Sequence, residues 1–494
     1  MEHLLLRVRS GQLQGIRQNG VRAWKGIPFA QPPVGERRFK KPLPPASWEG
    51  IRQGDKPGPL CPQPVDPTGG PFGLVRTGIP QAEDCLYLNV WAPEEPTEEP
   101  LPVMVWIHGG SFVTGGGGLP IFDGANLAKR GGLIVVTVSY RVGPFGFLHL
   151  GPYADPADPD GYVSNAGLLD QIASLEWVQD NIASFGGDPS RVTVFGESAG
   201  SMSIAALLAM PAAKGLFSRA IMQSGASQAL PDQQGRVVTG AYLDMLDGGS
   251  LDKLAELPAA ELLRTANRLK QAAGESTIML FQPVVDGKTL PLEPLQAVAT
   301  GSARGIDLVI GTNRDEGALF VRPGMKLLSD EDNARAYVAV TGAPEAAAWV
   351  AEYPRTIEGQ QQVMTDLFFL RSSLLFAGAQ MQHARVWLYR YDFTSPVHPV
   401  LSTAFHAAEI PFVFGNLELL RAGGIEIDAR MESVSDAAQE AWLAFANTGS
   451  PATAKLDWPA YEAGQHAVML LDAESRVELD PEADKRRMLT GQRK

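Results

Sequence analysis

Residues 196–200 have the types and spacing of a nucleophilic serine. They read Gly-Glu-Ser-Ala-Gly, so Ser198 has one glycine two positions before it and another two positions after it. The apolar run 192–195 predicts a buried strand before this segment, and residues 201–210 predict a helix after it. A nucleophilic serine on a sharp strand-to-helix turn needs neighbours without bulk, and the helix N-terminus favours negative charge beside it. The pattern predicts that Ser198 attacks an acyl carbon; the alternative is a structural serine in a glycine-rich turn.

A second glycine-containing segment follows another predicted strand. Residues 101–107 (LPVMVWI) read as a buried strand, and residues 108–112 (HGGSF) come directly after it. Glycines at such a place leave backbone N–H groups free to face a cavity. A flexible glycine loop is the alternative, since more glycines follow nearby. We expect an oxyanion hole, which binds the negative oxygen that develops when an acyl carbon is attacked, from the amides of Gly110, Ser111 and Ala199.

A serine nucleophile needs a histidine as base and a carboxylate that orients this base. Asp315 and Glu316 both follow a predicted strand closely enough to supply the carboxylate. His398 and His406 both lie on the loop after the next predicted strand. The residues favour His406 only slightly over His398, and chain order does not choose between the two acids.

Short apolar runs predict the strands that position these groups. Helical patterns lie between the runs: in residues 168–185 the apolar positions are spaced four, three, three and four residues apart, on one helical face. This alternation predicts an α/β fold with a mostly parallel central sheet. We expect residues 1–494 to form a single domain, with mainly helical insertions near 228–304 and 317–385. The predicted strands are 101–107, 133–139, 192–195, 219–223, 307–311 and, as the last candidate, 386–391.

The composition is that of an acidic globular protein. Its 494 residues carry 42 Lys and Arg against 55 Asp and Glu, which gives a net charge of −13 at pH 7. Such a surface repels phosphate groups, so binding to nucleic acid or to an anionic membrane is not expected. No apolar stretch approaches the length of a membrane span, and residues 4–6 are too short an apolar run for a signal peptide. We therefore expect a cytoplasmic protein.

Cys61 and Cys85 are the two cysteines of the chain, and their spacing does not match a Cys-x-x-Cys metal site. They bracket most of the proline-rich segment 54–82, which we expect to be a long loop because proline is excluded from helix interiors and central strands. Both a disulfide that clamps this loop and a pair of reduced thiols fit the sequence.

Several segments together identify a family. FGGDPSRVTVFGESAG at 185–200 and EDCLYLNV at 83–90 resemble the two signatures of the type-B carboxylesterases, the cholinesterase-like α/β-hydrolases. The resemblance extends over about residues 13–471 and is strongest to bacterial carboxylesterases of the para-nitrobenzyl esterase kind. It implies an α/β-hydrolase fold, in which helices flank a mostly parallel central sheet and helical insertions cover the active site. Shorter matches are KGIPFA at 25–30, YRVG at 140–143, QSG at 223–225 and FVFG at 412–415.

The resemblance also implies roles for individual residues. Ser198, Glu316 and His406 match the family's catalytic triad, since Glu316 stands in the D-E-G segment and His406 opens the H-x-x-E-I-P-F-V-F-G segment. Ser224 matches a serine that supports the glutamate and the histidine. The two cysteines match positions that form a disulfide in secreted members. Choline esters are not expected as preferred substrates, because no tryptophan lies between the cysteines to bind a quaternary ammonium group.

The expected activity is hydrolysis of carboxylic esters with short- to medium-chain acyl or aryl groups, through an acyl-enzyme and without metal or cofactor. Amidase, thioesterase or carbamate hydrolase activity on the same triad is the alternative, as is a non-catalytic binding scaffold. The expected partner is a small-molecule ester, bound by a monomer or homodimer. Met279, Leu280 and Phe281 are expected to line the acyl side unless some of them pack in the core, and Phe72 and Leu74 to line the entrance.

Overall fold

One large β-sheet with helices on both faces makes up most of the structure. The computed structural model describes residues 3–65, 78–155, 157–158, 160–246, 251–274 and 279–491. The strands are His3–Val8 (β1), Gly11–Gln18 (β2), Val21–Pro28 (β3), Ile51–Gln53 (β4), Tyr87–Pro93 (β5), Leu101–Ile107 (β6), Ile134–Val138 (β7), Gly187–Glu197 (β8), Arg219–Gln223 (β9), Leu230–Pro231 (β10), Val284–Val285 (β11), Asp307–Asn313 (β12), Val386–Tyr391 (β13), Ala467–Leu471 (β14) and Arg476–Leu479 (β15).

The middle of the sheet is parallel and its borders are antiparallel. In the described chain the order of the large sheet is β1-β2-β3-β5-β7-β6-β8-β9-β12-β13-β14-β15, with β4 paired to β2. The strands from β7 to β14 in this order pair in parallel, whereas β1, β2, β3, β5 and β15 pair antiparallel with their neighbours, apart from the parallel β2–β4 pair. The carboxyl ends of β6, β8, β9 and β12 therefore meet at one edge, where α/β folds bind their ligands.

Alternation along the central strands divides the core between the two faces of the sheet. On β6, Val103, Val105 and Ile107 belong to one buried cluster, while Met104 and Trp106 belong to the other. These strands read as continuous apolar runs because helices cover both faces. The covered sheet is the rigid element that holds the loops at its edge.

The helices are Ala125–Gly131 (α1), Gly143–Phe147 (α2), Ala166–Asn181 (α3), Ala199–Ala209 (α4), Asp232–Asp244 (α5), Leu251–Glu256 (α6), Ala259–Ala273 (α7), Pro294–Ala299 (α8), Asp330–Thr341 (α9), Ala346–Val350 (α10), Ile357–Met364 (α11), Arg371–Gln380 (α12), Ile410–Val413 (α13), Leu417–Ala422 (α14), Ala429–Thr448 (α15) and Ala483–Leu489 (α16). A π-helix, Thr365–Leu370, joins α11 to α12. Within the described residues, no helix is both long enough and apolar enough to cross a membrane.

The central strands were predicted well and the outer ones were not. Residues 386–391 are not the last strand, since β14 and β15 follow and β14 pairs in parallel with β13. The antiparallel strands β1 to β3 were also missed, because β1 has only the short apolar run of residues 4–6 and the buried residues of β2 and β3 are interrupted by Arg, Gln and Lys. The two predicted insertions hold α5 to α8 and α9 to α12, and their status as parts of a single domain stays a prediction.

Candidate active site

Ser198 lies on the turn between strand β8 and helix α4. Its backbone has φ 55° and ψ −122°, which is strained for a residue with a side chain. Strand β6 ends against this turn: a Cβ atom on Gly196 would lie 2.7 Å from the carbonyl oxygen of Ile107, and one on Gly200 would lie 2.0 Å from it. The Ser198 amide donates a hydrogen bond to the carbonyl of Gln223 on β9 at 2.8 Å. Both glycines are thus required by the close approach of neighbouring backbone.

Ser198, His406 and Glu316 form a continuous chain of hydrogen bonds. Oγ of Ser198 lies 2.8 Å from Nε2 of His406, and Nδ1 of the same ring lies 2.6 Å from Oε2 of Glu316. Because a carboxylate only accepts, Nδ1 donates to Glu316 and Nε2 is left to accept from the serine hydroxyl. All three side chains are buried. The second oxygen of Glu316 accepts from the amide of Asn313 at 2.7 Å, which fixes the carboxylate at the end of β12.

The alternatives that the sequence left open lie apart from this chain. Asp315 accepts a hydrogen bond from the amide of Ala404 at 2.9 Å and is only half-buried. His398 precedes a short 3-10 helix, and its carbonyl accepts from the amide of Leu401. Within the described residues, neither side chain is hydrogen-bonded to the nucleophile.

The glycine loop after β6 packs directly on the nucleophile. A Cβ atom on Gly109 would lie 3.1 Å from Cβ of Ser198. Gly110 and Ser111 both have positive φ, 111° and 53°. Their amides have no acceptor among the described residues. Ala199 is the first residue of α4, and the first amides of a helix have no acceptor within the helix. Three backbone donors are therefore left free beside the serine, as an oxyanion hole requires.

Comparisons with known proteins agree with this geometry. The model of the carboxylesterase family matches residues 2–488. This chain belongs to the carboxylesterase family. It is 49% identical over 494 residues to the para-nitrobenzyl esterase of Bacillus subtilis, covering 99% of each chain. It is 35% identical to the fumonisin B1 esterase of Sphingopyxis macrogoltabida, over 93% of this chain and 85% of that protein.

Solved structures show the same fold. A thermophilic para-nitrobenzyl esterase superposes with a TM-score of 0.93 at 47% identity, over 99% of this chain and 100% of that one. A Geobacillus stearothermophilus carboxylesterase superposes with a TM-score of 0.85 at 38% identity, over 98% of this chain and 99% of that one. The predicted α/β-hydrolase fold is thereby confirmed. The chain is a serine carboxylesterase, which hydrolyses carboxylic esters.

A second carboxylate lies beside the histidine of this carboxylesterase. Oε1 of Glu197, the residue before the serine, is 3.1 Å from Nε2 of His406. Burial lowers the pKa of His406, but the carboxylates of Glu197 and Glu316 oppose it, and the net result raises the pKa to about 9. Burial raises the pKa of Glu197 well above its usual range. Two carboxylates thus act on opposite nitrogens of one ring and favour its charged form.

A third carboxylate, Glu409, is buried in the same region. It accepts hydrogen bonds from the side-chain amides of Gln223 at 3.0 Å and Asn313 at 2.7 Å. Burial and the nearby Glu316 raise the pKa of Glu409. Asn313 also donates to the carbonyl of Phe405, the residue before His406. This network ties β9, β12 and the histidine loop together.

Two expectations drawn from the resemblance fare differently in the structure. Ser224 is fully buried, but among the described residues its hydroxyl has no hydrogen-bond partner, so no hydrogen bond links its side chain to the glutamate or the histidine. Cys61 and Cys85 are buried beside each other, and their sulfurs are not joined in a disulfide in the structure. The two cysteines are therefore neighbours, as the resemblance implies.

Two phenylalanines pack against the ring of His406. Phe320 lies in the segment just after Glu316, and its ring centroid is 5.1 Å from the centroid of the His406 imidazole. The ring centroid of Phe369 is 4.6 Å from the same imidazole. Phe369 belongs to the π-helix Thr365–Leu370, a rare element that is frequent at functional sites. The hydroxyl of Thr365 accepts from the amide of Gly317 at 3.0 Å, so this π-helix also holds the turn that carries Glu316.

The predicted pocket residues are only partly described. Phe281 is buried in the core against Tyr242, with ring centroids 6.1 Å apart. Met279 and Leu280 are half-buried beside it. Phe72 and Leu74 lie outside the described residues.

Sequence reasoning missed Glu197 and Glu409, and it missed Phe320 and Phe369, which pack on His406. Glu197 and Glu409 stand inside recognised segments, G-E-S-A-G and H-x-x-E, so their charge beside the nucleophile and the base was a usable signal. Phe369 carried no signal, because its contact with His406 depends on a π-helix that no local pattern predicts.

Proposed function

We propose that Ser198, His406 and Glu316 are the catalytic triad of this serine carboxylesterase. The supporting observation is their unbroken hydrogen-bond chain, at 2.8 Å and 2.6 Å. Nε2 of His406 takes the hydroxyl proton of Ser198 as its oxygen bonds to the ester carbonyl carbon. Glu316 keeps Nδ1 protonated and stabilises the imidazolium that forms.

The substrate's carbonyl oxygen carries the negative charge of the tetrahedral intermediate. We assign its binding to the backbone amides of Gly110, Ser111 and Ala199, which have no acceptor among the described residues and lie on the two segments that meet at Ser198. Each such donor contributes about 2.7–4 kcal/mol to lowering the barrier. The positive end of helix α4 favours the same charge.

The intermediate then collapses in the direction of the acyl-enzyme. The bond between the carbonyl carbon and the leaving oxygen breaks, and the proton on His406 passes to this oxygen to release the alcohol. A water molecule next gives a proton to Nε2 and attacks the acyl carbon. The bond between the acyl carbon and Oγ of Ser198 breaks, the carboxylic acid product leaves, and the proton on His406 returns to the Ser198 hydroxyl.

For the substrate we propose aryl esters and short- to medium-chain acyl esters. The partly exposed ring of Phe320, which packs on His406, provides aromatic surface that suits apolar groups near the scissile bond. The Bacillus subtilis relative is named a para-nitrobenzyl esterase, which supports an aromatic ester among the substrates.

We further propose a cytoplasmic protein that does not bind nucleic acid and acts as a monomer or homodimer. Two adjacent unpaired thiols suit a reducing compartment, and the charge of −13 disfavours contact with phosphate backbones. Sedimentation velocity checks the oligomeric state.

The test compares wild type with Ser198→Ala on p-nitrophenyl esters from two to twelve acyl carbons. We expect turnover by Ser198→Ala to fall by roughly 10⁴-fold or more while its circular dichroism spectrum is unchanged. The chain length hydrolysed fastest by wild type measures the acyl pocket. Retained activity in a clean Ser198→Ala preparation would remove Ser198 from the mechanism.

A further inference from the structure

His108 is a buried, uncharged histidine that the triad does not use. It stands between strand β6 and the glycines of the oxyanion loop, and its side chain is fully enclosed. Burial lowers its pKa to about 4. Its Nδ1 lies 2.8 Å from the carbonyl oxygen of Gly109. Because a carbonyl only accepts, Nδ1 carries the proton and donates it. Nε2 has no hydrogen-bond partner among the described residues, which suits the bare acceptor nitrogen of this tautomer.

The carbonyl that His108 holds belongs to the same peptide group as the amide of Gly110. A peptide group is planar and trans, so its C=O and N–H point in opposite directions. A bond that fixes the Gly109 oxygen therefore also fixes the direction of the Gly110 N–H. This link matters at a glycine, where the backbone is otherwise free to rotate.

The next peptide group is held in a comparable way. The carbonyl of Gly110 accepts from the amides of Val113 and Thr114, at 2.9 Å and 3.0 Å, and from the Thr114 hydroxyl at 3.2 Å. This peptide group carries the N–H of Ser111. Both oxyanion donors of the loop are thus oriented through the carbonyl of their own peptide group. For the N–H of Gly110, the group that holds this carbonyl is the His108 side chain; for the N–H of Ser111, it is the Val113 amide together with the amide and hydroxyl of Thr114.

The imidazole of His108 is itself held on several sides. It stacks on Tyr140 with ring centroids 4.1 Å apart and an angle of 12° between the planes. The Tyr140 hydroxyl donates to the carbonyl of His108 at 2.7 Å. A Cβ atom on Gly115 would lie 2.3 Å from Nδ1, so the glycine loop closes directly over the ring. The ring has no room to rotate away from the Gly109 carbonyl.

We propose that His108 is a positioning residue, which aims the Gly110 N–H at the oxyanion by donating from Nδ1 to the carbonyl of Gly109. This rests on the proposed role of the Gly110 amide in the oxyanion hole. His108 acts on the backbone alone and exchanges no proton with substrate. Its contribution is made in the transition state, where the oxyanion exists, rather than in substrate binding.

The test compares three variants at this position. His108→Asn places an amide N–H where Nδ1 lies, His108→Gln places its amide one bond further out, and His108→Phe keeps the ring that stacks on Tyr140 but has no donor. We expect Gln and Phe to lower kcat roughly 10- to 100-fold with little change in KM, and Asn to recover most of this loss. The inhibition constant of a trifluoromethyl ketone, which binds as an oxyanion, should rise by the same factor as kcat falls.

Other outcomes overturn the inference. Equal losses in Asn and Gln, or unchanged ketone binding in all three variants, would mean that the donor at Nδ1 has no role. A rise in KM with constant kcat would mean a purely structural role. In wild type, the nitrogen-15 spectrum of the histidines must show His108 as the neutral Nδ1–H tautomer; an Nε2–H tautomer would exclude the proposal even if no variant folds. If Ser198→Ala is inactive while the His108 variants behave as wild type, the triad stands and only this inference fails.

Discussion

The site has two halves, one held in place by backbone contacts and the other by side-chain hydrogen bonds. The backbone half carries the nucleophile Ser198, lies at the ends of β6 and β8 and is held by backbone contacts. Ser198 and Ser111 have positive φ, and added Cβ atoms on the neighbouring glycines would meet carbonyl oxygens. The acid–base half lies after β12 and β13 and is held by side chains. Glu316 and Glu409 are oriented there by hydrogen bonds from backbone and side-chain amides of other elements.

The difference predicts two kinds of fragility. The backbone half contains no titrating group except Glu197 and the uncharged His108, so it should be insensitive to charge but intolerant of a single added methyl group. The acid–base half has its charges buried around His406, so a change of one atom that preserves shape should be enough to impair it. Substitutions that add volume and substitutions that remove charge therefore separate the two halves.

The largest effect is expected from Gly200→Ala. The new Cβ would lie 2.0 Å from the carbonyl oxygen of Ile107 and 2.8 Å from its carbon, and backbone on β6 has no freedom to withdraw. We expect no measurable esterase activity and a free energy of unfolding lower by about 3 kcal/mol or more, measured by urea denaturation. Gly378→Ala on α12 is the matched control: apart from its own helix backbone, no described atom lies within 4 Å of an added Cβ, so activity should persist and stability should rise slightly. Normal activity in Gly200→Ala would contradict the close approach.

The next effect is expected from Glu316→Gln, which keeps the shape of the acid and removes its charge. A neutral amide no longer enforces the productive tautomer of His406, so kcat should fall by roughly 10³- to 10⁴-fold with little change in stability. Asp315→Asn, one residue earlier, should stay within about tenfold of wild type, since Asp315 bonds the amide of Ala404 rather than the histidine. The reverse ranking of kcat for these two variants would move the acid to Asp315.

The backbone half was also the half that the sequence predicted best. Glycine spacing around Ser198 and after β6 reports a steric requirement directly, so the turn, the strand before it and the helix after it were predicted from residues alone. The acid–base half was ambiguous for a physical reason: a carboxylate acts through space, and local sequence does not say which of two adjacent acids turns inward. Only the family resemblance chose Glu316 and His406.

The fold divides in the same way. Central strands such as β6 and β13 were predicted with their observed bounds, because burial on both faces makes them continuous apolar runs. Strands β2 and β3 mix polar and apolar residues near the border of the sheet, and β1 and β14 are single short apolar runs, so all four escaped prediction. The π-helix that carries Phe369 has no local sequence signal; in the structure it contacts the turn of Glu316 through the hydrogen bond from the amide of Gly317 to the hydroxyl of Thr365.

A smaller effect is expected from Glu197→Gln. This substitution affects both halves, because Glu197 stands on β8 in the backbone half and its carboxylate faces His406 in the acid–base half. Removing a negative charge 3.1 Å from Nε2 disfavours the imidazolium, so the pKa of His406 falls. The neutral ring is the active base, and the acidic limb of the kcat/KM profile should therefore move to lower pH by about one unit. Glu418→Gln, an exposed glutamate paired with Arg421, is the control and should leave the profile unchanged. An unchanged profile would show that Glu197 carries no negative charge over the pH range of the profile.

The smallest effect is expected from Phe369→Leu, which changes neither charge nor backbone in the acid–base half. Phe369 is buried between Phe320, Phe368 and His406, so the smaller side chain loosens the packing on the imidazole. We expect kcat to fall only a few-fold, with a free energy of unfolding lower by about 1–2 kcal/mol. Phe185→Leu, at an equally buried position between Trp24 and Trp177, should lose similar stability with unchanged kcat. If both variants lose kcat alike, general destabilisation explains the effect; if only Phe369→Leu does, packing on His406 is part of how this half holds its base.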